Sequence, residues 1–191
     1  MNHRNRCCLL AWLALVLLLA APGPVQAAKN VIIMISDGAG YNTFNATSMY
    51  QGKLGKQVYD GEDWVQLSCT TYPLSRALYP TGKDKPDPAL VYDPRKAWDT
   101  TAQESEDDSG PNFAGYSYLT KTATDSAAAA TAMVTGVKTY NNAINWTAAC
   151  VPLHEKTIPE MAKAMGKSVG VITTVEWSHA TPAGLGRAIA P

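Results

Sequence analysis

Thr157–Val175 reads TIPEMAKAMGKSVGVITTV, and the fold class follows from its two halves. Thr157 and Glu160 stand three apart, the spacing of a capping box, and Pro159 is tolerated in a first helical turn. Ile158, Met161, Ala162 and Met165 fall on one helical face, and Gly166 supplies the stop. Lys167–Val175 (KSVGVITTV) then reads as a strand buried on both faces. Asn30–Ser36 (NVIIMIS) reads the same way, with five consecutive apolar residues ahead of Asp37-Gly38. A helix followed by a buried strand is α/β grammar. It predicts a largely parallel central sheet covered on both faces, here as a partial three-layer α/β/α sandwich.

Between these segments, DSAAAATAMVTGV (Asp125–Val137) predicts a helix that starts at Asp125-Ser126 and ends near Gly136. Its small side chains would allow close packing on the sheet. Tyr72–Gly115 has weak hydrophobic periodicity and is rich in Pro, Gly, Asp and Ser. It carries an acidic cluster at Glu104, Glu106, Asp107 and Asp108. It reads as a long surface excursion, either a solvated loop or the lining of a cleft mouth. The chain holds no internal repeat.

The N-terminus has a different character. Arg4 and Arg6 precede an almost wholly apolar run, Cys7–Ala21, then Pro22-Gly23-Pro24 and a small-x-small pattern at Val25-Gln26-Ala27. Residues 1–27 are therefore expected to be a secretory signal peptide, the alternative being a membrane anchor. No later run approaches the ~20 apolar residues of a membrane span. The chain has 191 residues, with 16 Lys+Arg against 16 Asp+Glu. Loss of Arg4 and Arg6 leaves 14 bases against 16 acids, which argues against nucleic acid as a main partner. A hydrophobic share of 46% argues against wholesale disorder. After cleavage Cys69 and Cys150 remain, and in an exported protein they are either one disulfide or two thiols. Asn45-Ala46-Thr47 and Asn145-Trp146-Thr147 match glycosylation sequons, which carry meaning only in a host that glycosylates.

Three features bear on chemistry. Asp37 follows a predicted strand directly, where open α/β sheets bind ligands, and a carboxylate there suits a metal ion; Asp-Gly is also an ordinary turn. Ser126 begins the alanine-rich helix, whose unpaired N–H groups and dipole suit a phosphate; Asp125 and Ser126 could equally serve only as caps. His179 and Thr181 follow the second predicted strand in WSHATP. If strand geometry continued, they would point the same way, toward a metal or its water shell; His179 alone is as readily a surface histidine.

Taken together, these segments resemble the alkaline phosphatase family. TATDSAAAATAMVTGVKTYNNAI (Thr122–Ile144) is similar to its nucleophile segment, NVIIMISDGAG to its opening strand and metal-binding Asp, and SHATPAG to the segment carrying its magnesium-site residues. The order and spacing of all three fit, over nearly the whole mature chain, and the wording is closest to bacterial secreted members. The resemblance implies hydrolysis of small-molecule phosphate monoesters with two zinc ions and one magnesium. It implies Ser126 as the nucleophile forming a phosphoserine, Asp37 as a bridge between one zinc and the magnesium, and Thr181 as a magnesium ligand. His179 would sit near the magnesium, and Asp125 would orient a phosphate-binding arginine. It further implies periplasmic or secreted localisation and a homodimer.

Two zinc ions need about six to eight protein ligands, yet the mature chain has only His154 and His179. The chain is therefore expected to be the N-terminal portion of a longer catalytic domain (28–191 here), inactive and poorly folded by itself. Two alternatives remain: a related metallo-hydrolase such as a sulfatase or phosphodiesterase, and a non-catalytic secreted remnant. No G-x-S-x-G elbow surrounds Ser126, which argues against a triad hydrolase.

Overall fold

Asp125 and Gly136 bracket the best-defined helix, as their chemistry dictates. The computed structural model describes residues 28–104 and 110–186, so residues 1–27 and Glu106, Asp107 and Asp108 lie outside the described residues. The elements are α1 (Tyr41–Tyr50), a 3-10 turn (Val58–Asp60), α2 (Pro94–Ala97), β1 (Ala102–Gln103), β2 (Asn112–Phe113), α3 (Ala114–Thr122), α4 (Ser126–Thr135), α5 (Ile158–Ala164) and α6 (Ala180–Gly184). At the head of α4, Asp125 Oδ2 accepts from the amides of Ala127 and Ala128 at 2.9 and 3.2 Å, consuming two of the four orphan donors there. At its end Gly136 takes φ 73°, the left-handed conformation that only glycine enters freely. The predicted bounds of this helix hold.

α5 is capped as its sequence requires. Thr157 Oγ1 accepts from the Glu160 amide at 3.2 Å, and Glu160 Oε2 accepts from the Thr157 amide at 3.4 Å. Beyond the helix, Lys167 N donates to Ala162 O and Gly166 N to Lys163 O, a Schellman closure with Gly166 at φ 74°. Its apolar face is not covered, however: Ile158, Met161 and Met165 are all exposed.

The chain divides into two compact units, 1–36 and 37–191. In the first, residues 30–36 form no ladder, and Ile32 is 85% exposed. In the second, residues 167–175 likewise form no ladder, and Ile172 is fully exposed. Neither predicted strand is therefore present as a strand. A doubly buried strand needs hydrogen-bonded neighbours about 4.8 Å away and a covering layer on each face. The described residues supply neither. Their one ladder is antiparallel, β1 to β2, pairing Ala102 with Phe113 and Gln103 with Asn112. A single parallel bridge joins Ser75 to Tyr140, flanked by Leu74 N to Thr139 O at 2.9 Å and Asn141 N to Ser75 O at 3.1 Å.

The core of the second unit lies around that bridge and beneath α4. Leu74, Tyr140, Ala143 and Ala148 cluster with Trp146 against them, while Ala127, Ala128, Ala130, Thr131 and Val134 are buried on α4. The small face of α4 packs on α6 rather than on a sheet. The approach is close: a Cβ built at Gly184 would lie 2.7 Å from Ala130 Cβ. Gly184→Ala is accordingly expected to cost about 1–3 kcal/mol through overpacking, read as a lowered urea midpoint. Lys138 is half-buried under the same helix, donating to Tyr72 O at 2.6 Å with its ammonium 3.8 Å from the Tyr72 ring centroid. Burial pulls its pKa below the ordinary lysine value.

The 72–115 excursion is fastened at several points. Leu74 and Leu90 are buried, and the Tyr118 hydroxyl accepts from Asp93 N at 2.8 Å and donates to Val91 O at 3.1 Å. Cys69 and Cys150 are both free, exposed thiols. No helix among the described residues is long and apolar enough to cross a membrane.

Candidate active site

Asp37 stands in a turn whose second residue, Gly38, takes φ 72°. A positive φ there is cheap only for glycine, and the turn leaves the Asp37 carboxylate exposed. Ser126 is the first residue of α4. Thr181 is the second residue of α6, half-buried against that helix pair. These three residues meet at one atom. Thr181 Oγ1 donates to Asp37 Oδ2 at 2.8 Å, and Ser126 Oγ donates to the same oxygen at 3.4 Å. Separations of 144 and 89 residues are thereby closed on a single carboxylate oxygen.

Asp125 adds a second carboxylate beside Ser126. Its Oδ2 accepts three amides, those of Ala127, Ala128 and Asn142, the last at 3.0 Å. Its Oδ1 is buried and has no partner among the described residues. One oxygen thus serves the helix cap, and the other is left with unspent accepting capacity.

The His179 imidazole makes no hydrogen bond to these residues. His179 is the N-cap of α6, exposed, and its imidazole makes no capping bond. The chain turns into helix at Ala180, so His179 and Thr181 are not alternating strand residues; two positions apart at a helix start, they do not share a face. The expectation that they point the same way is corrected by that early helix. Among the described residues no three His, Cys, Asp or Glu side chains gather where they could hold a metal ion.

The Asn142 amide was not anticipated as an Asp125 partner. Asn142 adopts φ 66°, and the Asn-Asn pair that permits such a turn was the available signal. A hollow of about 510 Å³ also opens two residues past Asp37, lined by Ala39, Tyr41, Phe44, Tyr59 and Trp64 among others.

A hydroxyl at a helix N-terminus, paired with a carboxylate that also engages a second hydroxyl, belongs to the class of sites suited to an anionic group. Comparison with known proteins narrows this class. The family model for alkaline phosphatase matches residues 99–189. The chain is 35% identical over 165 residues to the alkaline phosphatase of Escherichia coli (strain K12), covering 84% of this chain and 26% of that protein. It is 54% identical over 63 residues to alkaline phosphatase 4 of Bacillus subtilis (strain 168), covering 33% of this chain and 13% of that protein. Against the alkaline phosphatase of Gadus morhua it is 29% identical over 163 residues, 81% of this chain and 26% of that protein. The chain belongs to the alkaline phosphatase family. It spans about a quarter of the length of the E. coli and cod relatives.

Proposed function

We propose that this chain supplies the nucleophile-bearing part of a metal-dependent phosphate monoesterase that works through a phosphoserine. The observation supporting this reading is the convergence of Ser126 and Thr181 on Asp37 Oδ2. The Ser126 Oγ–H is held by that carboxylate oxygen, and its proton passes to solvent as the oxygen attacks. The freed Oγ attacks phosphorus in line: the Oγ–P bond forms, the P–O bond to the alcohol breaks, and the alcohol leaves with a proton from solvent. Phosphoryl oxygens rest against the N-terminus of α4, where the helix dipole favours negative charge. Water then attacks the phosphoserine, releasing phosphate and restoring the hydroxyl. Asp125, held rigid by three amides, keeps Oδ1 for a guanidinium that would grip the phosphate.

Asp37 and Thr181 fit magnesium in part, since both offer the hard oxygens that it prefers. Zinc, which takes nitrogen, sulfur and carboxylate ligands in fours, is not fitted by the described residues, which gather no such set. Bound divalent cations supply charge neutralisation and a lowered pKa for the attacking hydroxyl. The two zinc ions and one magnesium that the resemblance implies therefore need ligands beyond those that the described residues gather. The 191-residue chain by itself is expected to be inactive. Residues 1–27 direct the protein across a membrane, to the periplasm or outside the cell.

The deciding experiment compares p-nitrophenyl phosphate, bis-p-nitrophenyl phosphate and p-nitrophenyl sulfate as substrates of the full-length protein. The monoester should be turned over at least ~100-fold faster, on the scale by which a site built for one charged group discriminates. Diester or sulfate turnover above that of the monoester would sink this reading in favour of a phosphodiesterase or sulfatase.

A further inference from the structure

Asn145 binds both helices of the site. It is wholly buried and sits at φ 57°. Its amide donates to Thr131 Oγ1 on α4 at 2.8 Å, and Thr131 Oγ1 donates onward to Ala143 O at 3.0 Å. Its side-chain Nδ2 donates to Gly184 O at the end of α6 at 3.0 Å. Its own carbonyl accepts from Leu153 N at 2.8 Å, which fixes the loop from behind.

The positions of these anchors matter. Thr131 lies five residues beyond Ser126 on α4, and Gly184 lies three residues beyond Thr181 on α6. Asn145 therefore ties the two helices about one turn behind the two hydroxyls that meet at Asp37. Gly184 has no side chain, so α6 can come down on Ala130, and its carbonyl is within reach of the Asn145 amide group. Few residues could do this. The left-handed backbone favours glycine or asparagine, and only asparagine also brings a donor. The arrangement carries a cost, because Asn145 Oδ1 is buried with no partner among the described residues. A buried unpaired oxygen is not what stability alone would select.

We infer that Asn145 is a positioning residue: its strap between α4 and α6 sets the spacing of Ser126 and Thr181 at Asp37, and with it the affinity of the oxygen site for Mg²⁺. This rests on the phosphatase reading above for the identity of the ion. Asn145→Gly is the informative variant, because it keeps the left-handed turn and the backbone bond to Thr131 and removes the bond to Gly184 with the buried side chain that makes it. Val134→Ala, a buried change elsewhere on α4, is the control for lost stability. Both are made in the full-length protein, stripped of metal and titrated with Mg²⁺ by calorimetry, with amide hydrogen exchange followed at Ala183 and Leu185. Asn145→Gly should weaken Mg²⁺ binding ~10-fold or more, as loss of a supporting hydrogen bond around a metal site does, and should speed exchange at both amides. Val134→Ala should do neither. Unchanged exchange in Asn145→Gly overturns the strap, and Mg²⁺ binding equal to that of Val134→Ala overturns its positioning role. A parent protein that binds no Mg²⁺ instead overturns the phosphatase reading, and is visible before any variant is made.

Discussion

Ser126→Ala in the full-length protein should abolish covalent labelling by phosphate monoesters and lower kcat by roughly three orders of magnitude or more, as removal of a nucleophile does elsewhere. The fold should hardly notice. Alanine is a strong helix former, and the cap of α4 is made by Asp125, not Ser126. The hydrogen bond from Thr181 to Asp37 does not involve Ser126, so metal binding should also survive. The residual rate would come from a water held where the hydroxyl stood. Acid-quenched protein exposed to ³²P-labelled monoester, followed by phosphopeptide mapping, reads the result. Wild-type turnover by Ser126→Ala, or label on another residue, rules out the mechanism.

How much of this was legible in sequence depended on how local the determinants were. The bounds of α4 and α5 were written in neighbouring residues: Asp125 and Gly136, Thr157, Glu160 and Gly166. Capping satisfies backbone groups within one turn, so no distant partner is needed to read it. Asn30–Ser36 and Lys167–Val175 form no ladder among the described residues, for the opposite reason. Their apolar runs specify burial but not what buries them, and a strand exists only when another backbone completes its ladder. α1 and α3 went unread because their patterns are weak: α1 buries only Ser48, and α3 buries only Gly115 and Thr122.

The site divides along the same line. Asp37, Ser126 and Thr181 were named through local wording that resembles a family, and the hydrogen bonds at Asp37 Oδ2 bring the three together. His179 was placed on the wrong geometry, because α6 begins one residue later and ends the strand-like alternation. The Asn145 strap had no local signature. Its meaning comes from Thr131 and Gly184, which lie 14 residues before and 39 residues after it.

Asp37→Asn is the second large effect expected, and it separates a ligand from a structural acid. Asp37 is exposed, and its described side-chain bonds are the two it accepts at Oδ2. An asparagine Oδ1 can still accept a hydroxyl, so the metal-free melt should move little, within the ~0.5 kcal/mol usual for exposed positions. The lost charge is a different matter. Mg²⁺ is held chiefly by anionic oxygen, and a neutral amide in place of its carboxylate should weaken binding by at least ~100-fold, beyond what loss of an outer partner costs. Turnover should fall with it and recover only as far as saturating Mg²⁺ refills the site. Calorimetric titration of the metal-free variant beside its thermal melt decides the point. Binding within threefold of the parent would remove Asp37 from the ligand set. A large drop in melting temperature with unchanged binding would make it a fold residue instead, holding α4 and α6 through Ser126 and Thr181 rather than serving the chemistry between them.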